Sequence, residues 1–173
     1  MKLESAKSTL FETDGAVEKA KAYVLRLLGR RAYTKKEICD KLAGRGYGQD
    51  AIEQTLSMLK RLDLIDDVLF ARQFVEQRLR LRPSGRVALV RDLVHRGVPA
   101  EIIDRVLDDV LADVDIEAVA LDLMMSRANR YRGLSREKAL GRMYGFLGRR
   151  GFEASVARDV AHKVWSKIEN EEG

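Results

Sequence analysis

The chain is 173 residues long, 46% hydrophobic and 34% charged, with a formal net charge of +5, proportions ordinary for a soluble globular protein. Its uncharged apolar runs are only a few residues long, against the roughly 20 that a membrane-spanning helix needs, so no membrane segment is expected. Cys39 is the only cysteine, which excludes an intrachain disulfide and leaves a thiolate metal site without partners. Two prolines, 6% aromatics and abundant Leu, Ala, Arg and Glu favour helix over strand, and the fold is expected to be all-α.

In chain order, Met1 to Asp14 carries Lys2, Glu4, Lys7, Glu12 and Asp14, too much charge for a signal peptide's apolar core. Residues 1–15 are read as a flexible tail of a cytoplasmic protein. A first unit over 16–65 begins with Val17, Ala20, Val24, Leu27 and Leu28, which mark a helix to about Arg30. Thr34 and Glu37 form a capping box for a second helix, in which Cys39 is a small core residue beside Ile38 and Leu42. Ile52, Leu56 and Leu59 mark a third. Asp66 or Asp67 then caps a new helix, since a short carboxylate accepts from the orphan amides of a helix start. Phe70, Ala71, Phe74 and Val75 share one face of it, and Arg78 falls on that face one turn later. An arginine there needs an acidic partner, such as Asp66, Asp67 or an aspartate of the third helix of its unit.

The second unit, 66–112, continues with a helix to about Leu81 and a loop from Arg82 to Gly85. A second helix is marked by Leu89, Val90 and Leu93. Pro99 opens a third helix marked by Ile102, Ile103, Val106 and Val110. A third unit over 113–168 shows Ile116, Val119, Ala120 and Leu123, then a Tyr131–Ser135 loop, then Leu140, Met143 and Leu147, and finally Val156, Val160 and Val164. Residues 169–173 are expected to fray.

Arg-Gly followed by an apolar residue recurs as Arg45-Gly46-Tyr47, Arg96-Gly97-Val98 and Arg150-Gly151-Phe152, roughly 50 residues apart, the mark of a repeated supersecondary unit. The pattern describes a helix end in which glycine takes the left-handed conformation and the next residue meets Leu42, Leu93 or Leu147 in the preceding turn. A unit of three helices buries too little surface to stand alone, so the expected architecture is a tandem array of three three-helix repeats forming an elongated, curved rod.

The acidic pair Asp66-Asp67 followed by F-A-x-x-F-V-x-x-R, Phe70 to Arg78, resembles the signature of the RecX family, bacterial regulators of the RecA recombinase. The Arg91 to Val98 stretch is similar to that family's E-L-x-x-K/R-G-I/V element, with Asp92 where glutamate is usual. Pro83-Ser84-Gly85 departs from its glycine-first loop. The resemblance implies tandem three-helix repeats in a bent rod. It also implies a non-enzymatic regulator that lodges in the helical groove of the RecA–DNA filament and inhibits RecA ATPase, strand exchange and coprotease activity. The partner implied is the RecA filament on DNA, with room for a weak direct DNA contact and with no membrane, small-molecule substrate or cofactor.

Charge alternates along each unit. Residues 16–45 hold nine basic and three acidic groups, 72–96 seven and two, and 126–150 eight and one, while the third helices are acidic, with one basic and eight acidic groups over 99–122. Basic stretches mark a nucleic-acid or acidic-protein surface, or else simply neutralise the neighbouring acidic helices. Arg72, Arg80, Arg82, Arg86 and Arg91 are the candidate partner-binding residues, because guanidinium forks suit carboxylate and phosphate; Arg130 and Arg132 form an alternative surface. A direct DNA-binding protein of helix-turn-helix type is the rival reading, and the acidic third helices stand against it. His95 and His162 have no spacing that suggests a metal site or triad, and Gly141, Gly145 and Gly148 lack a Walker lysine and hydroxyl. Asp66/Asp67 and Asp108/Asp109 are read as caps and surface charge, Trp165 and Tyr144 as packing residues. No catalytic, cofactor or metal residue is expected.

Overall fold

Helices and turns make up the regular structure of the computed structural model, which describes the backbone of residues 2–172 and the side chains of residues 15–171; among these there is no strand. The helices are α1 (Lys2–Leu28), α2 (Lys35–Ala43), α3 (Gln49–Arg61), α4 (Asp67–Leu81), α5 (Arg86–His95), α6 (Ala100–Leu111), α7 (Ile116–Met125), α8 (Arg136–Arg149) and α9 (Ala154–Glu172), with a 3-10 turn at Ala128–Arg130. Among the described residues no helix is long and apolar enough to cross a membrane.

Of the two expected tails, residues 2–15 and 169–172 are helical, and Met1 and Gly173 lie outside the described residues. Residues 2–28 contain no proline and one glycine, Gly15, so nothing local ends the helix before Lys2. At the other end α9 runs to Glu172, because Ile168 is buried at 1% exposure and Glu171 pairs with Arg132.

The chain divides into two compact units: the residues up to Phe70 together with Arg96–Pro99, and Ala71–His95 with the residues from Ala100 onward. In the first, Ala20 and Val24 of α1 pack with Ile38 and Leu42 of α2, Ile52 and Leu59 of α3, and Tyr33. Burying a side chain the size of leucine or isoleucine contributes roughly 2 kcal/mol. The capping box forms: the Thr34 hydroxyl accepts from the Glu37 amide at 3.1 Å and the Glu37 carboxylate from the Thr34 amide at 3.3 Å. Cys39 is half-buried beside this core, and burial pushes its thiol above its ordinary range.

Helix α2 ends as its sequence requires, with the Gly46 amide donating to the Ala43 carbonyl at 2.9 Å and the Tyr47 amide to the Leu42 carbonyl at 3.2 Å. Helix α3 ends in the same two-bond turn without glycine. There Asp63 holds φ 51°, with its amide on Lys60 and the Leu64 amide on Leu59. A non-glycine residue in this region is strained by roughly 1 kcal/mol, which aspartate tolerates better than most. Asp66 then caps α4, its Oδ1 accepting from Val68 at 2.7 Å and Leu69 at 3.0 Å. Asp67 instead accepts the Lys35 amide at 2.9 Å and so joins the starts of α4 and α2.

In the second unit the largest cluster is Ala120 and Met124 of α7, Ala139, Met143 and Leu147 of α8, and Ala157, Val160, Ala161, Val164, Trp165 and Ile168 of α9, with Ala128, Tyr131 and Phe152. Alanines at facing positions let these helices approach closely around the larger side chains. Helix α8 repeats the closing turn of α2, Gly151 bonding to Gly148 at 2.9 Å and Phe152 to Leu147 at 3.1 Å. Gly97, after α5, shares the left-handed conformation at φ 75°.

Candidate partner-binding surface

Arg78 sits in the last turn of α4, its guanidinium 5.2 Å above the Phe74 ring. On the same face Ala71 and Val75 are fully buried, Phe70 is 8% exposed and Phe74 half-buried. The partner of Arg78 is Asp92 of α5, rather than Asp66, Asp67 or an aspartate of α6. Asp67 opens the same helix and Asp66 caps it, about three turns and roughly 16 to 18 Å back at 1.5 Å per residue. The α6 aspartates are engaged elsewhere: Asp109 pairs with Arg72, and Asp108 lies 2.8 Å and Asp104 4.0 Å from Arg86.

That pairing divides the candidate arginines. Arg72 and Arg86 are neutralised by α6, Arg132 pairs with Glu171, and Arg91 reaches Asp92 at 3.2 Å. Exposed ion pairs of this kind are worth at most about 1 kcal/mol and leave a solvated face. Among the described residues Arg80, Arg82 and Arg130 hold no ion pair. Arg80 is exposed at the end of α4, and Arg82 opens the loop that follows.

The loop Pro83–Gly85 lies on the turn after α8. The Gly85 amide donates to the Arg150 carbonyl at 2.9 Å, the Val87 amide to the Gly151 carbonyl at 3.2 Å, and Arg150 Nη1 to the Pro83 carbonyl at 3.2 Å. A Cβ on Gly85 would overlap the Gly151 carbonyl, and one on Gly151 the Ala88 backbone. Beside this contact a cleft of about 220 Å³ is lined by Arg78, Arg82, Arg91, Arg149 and Arg150, with Asp92 as its single acid. Burial, then the charges of Arg82, Arg127 and Arg78, hold the Arg150 guanidinium below its ordinary range. Arg149 also borders a second, wider groove of about 630 Å³ lined by Arg127, Arg130, Lys138 and Arg142, against one acid, Glu137. The two together make a strip of like charge on the second unit. Arg82, Arg91 and Arg130 were expected on a binding surface; Arg127, Arg142, Arg149 and Arg150 were not singled out, although the eight-to-one excess of basic residues over 126–150 pointed at them.

This strip can attract a polyanion or an acidic protein surface. Nothing in it supplies nucleophile, base and orienting group together. His162 Nε2 lies 3.0 Å from the Tyr144 hydroxyl on an exposed face, and no cluster of three metal-ligating side chains occurs among the described residues.

The fold and strip define the class: an all-α protein of repeated three-helix domains that presents a basic face. Residues 20–59 match the RecX first three-helix domain and residues 66–107 the RecX second three-helix domain. The chain is 36% identical over 148 residues to the regulatory protein RecX of Chlorobium phaeobacteroides (strain BS1), covering 86% of this chain and 95% of that one. It is 35% identical over 148 residues to regulatory protein RecX of Streptomyces lividans, covering 86% and 78%. The crystal structure of RecX from Lactobacillus salivarius superposes with a TM-score of 0.77 over 87% of this chain and 97% of that one, at 22% identity, a likeness of fold. The chain belongs to the RecX family.

Proposed function

We propose that this protein is a non-enzymatic, cytoplasmic regulator that binds the RecA–DNA filament in its helical groove and inhibits RecA ATPase, strand exchange and coprotease activity. Its relatives carry the name regulatory protein, and the chain shares their three-helix domains. We divide it into repeats at 16–65, 66–112 and 113–168. The observation that supports a binding role is the basic strip around Arg82, Arg149 and Arg150, three arginines that hold no ion pair among the described residues, beside a single acid, Asp92, that Arg78 and Arg91 share. The contact set proposed from sequence narrows accordingly to Arg80, Arg82, Arg91 and Arg130, joined by Arg149 and Arg150, while Arg72, Arg86 and Arg132 serve the fold's own ion pairs.

The test is RecA-dependent ATP hydrolysis on single-stranded DNA as the protein is added. Hydrolysis falls with the wild-type chain, and an Arg82→Glu, Arg149→Glu double variant needs roughly tenfold more protein for the same inhibition, the effect of reversing two charge contacts. Inhibition should weaken as salt rises. Unaltered inhibition by the double variant would remove the strip from the interface, and absence of inhibition by the wild-type chain would reject the RecA reading.

A further inference from the structure

The turns that close α2, α5 and α8 have one backbone conformation, with Gly46, Gly97 and Gly151 at φ 81°, 75° and 76°. Two of them receive the start of another helix. At Arg96–Gly97 the visitor is α2: the Thr34 hydroxyl donates to the Arg96 carbonyl at 2.6 Å, and Arg96 Nη1 donates to Glu37 at 3.0 Å. At Arg150–Gly151 the visitor is α5, through the Gly85 and Val87 amides described above. Both turns are at least half covered, and Gly151 is buried.

The Arg45–Gly46 turn differs from both. Arg45 and Gly46 are exposed, and no atom of the described residues comes within 4 Å of the place where a Gly46 Cβ would be. The Arg45 guanidinium lies 4.0 Å over the Tyr23 ring, at the edge of a cavity of about 400 Å³ that Arg26 and Arg30 also line. We propose that this turn is a docking site for a partner protein's helix that begins with a capping box, Ser or Thr followed three residues later by Glu. The partner's hydroxyl would meet the Arg45 carbonyl and its glutamate the Arg45 and Arg30 guanidinium groups, as Thr34 and Glu37 serve Arg96.

A second copy of this chain fits less well. Of the corresponding helices, α2 and α5 are already used, which leaves α8, whose N-cap residue Ser135 has the extended conformation of Thr34 and makes no side-chain cap bond. Its third helical position is Lys138 where α2 has Glu37, and Arg136 adjoins it. At the position where the glutamate would meet Arg45 and Arg30, that helix start brings a lysine, which like charge repels, whereas a glutamate there is drawn in. This inference is independent of the RecA reading and needs no RecA to test.

The experiment is a titration of the full-length, isotope-labelled protein with a synthetic peptide copying residues 31–44, carrying Cys39→Ser, followed by amide shifts. Shifts at Gly46 and Tyr47, about tenfold weaker binding by a peptide with Glu37→Lys, and loss of binding in the exposed-site protein variant Arg30→Glu are expected, tenfold being the size of one charge-assisted hydrogen bond. Three results would overturn the proposal: shifts at Gly97 with none at Gly46, equal binding of the Glu37→Lys peptide, or Gly46 shifts on raising protein concentration alone, which would hand the turn to a second copy.

Discussion

The turns at Arg45–Gly46 and Arg150–Gly151 share the Arg-Gly pair, the positive φ and the hydrogen bonds, yet among the described residues nothing comes within 4 Å of a Cβ on Gly46, while one on Gly151 would strike the backbone of Ala88. Local chemistry decides that each turn forms. What stands next to it decides what the glycine is worth, and only at Gly151 does the missing side chain serve two purposes. From sequence alone the three glycines look interchangeable.

The largest expected effect follows from that contrast. Gly151→Ala adds a backbone collision to the strain of a left-handed alanine and should destabilise by about 3 kcal/mol or more, lowering the thermal midpoint by roughly 10 °C. A loss equal to that of Gly46→Ala would show that the Gly85 loop does not rest on this turn. Next is Arg78→Ala, beside the same turn. It leaves Asp92 half-buried, but Arg91 still reaches that carboxylate at 3.2 Å, so chemical denaturation should report about 1–2 kcal/mol. In an Arg91→Ala background the loss should grow; strict additivity would mean that Arg91 gives Asp92 no support. The smallest effect is Gly46→Ala, about 1 kcal/mol from the positive φ alone. Gly97→Ala should fall between the two other glycines, because the obstacle there is the Lys36 side chain, which can swing away. If the ranking Gly151, Gly97, Gly46 is inverted in thermal melts, the comparison fails.

How much of this was visible beforehand depends on how far apart the partners lie in the chain. The Thr34–Glu37 box, the Asp66 cap and the Gly46 and Gly151 turns are settled within a few residues, and their spacing announces them. The hydrophobic periods that build the cores from Val24, Leu42, Leu59, Met143 and Val160 are equally local. The left-handed Asp63 was missed because its turn uses the glycine pattern without a glycine. Arg78 needed a partner, as its position on the Phe74 face implied, but choosing Asp92 required knowing how α5 lies against α4. The same holds for the candidate site. Counting charge located the basic stretches, whereas which arginines remain uncancelled depends on α6 meeting Arg72 and Arg86 and on nothing acidic meeting Arg82 and Arg149. The Gly85–Gly151 approach left no trace in the alternation of apolar residues, since it is made of backbone.

That approach also bears on how the protein can change over generations. Most core contacts tolerate drift because a larger side chain on one side can be answered by a smaller one opposite. Between Gly85 and Gly151 neither residue has an atom left to remove, so a substitution at one cannot be compensated at the other. Beside the contact, by contrast, Arg82 and Arg149 are exposed, and a change of side chain there meets solvent rather than backbone.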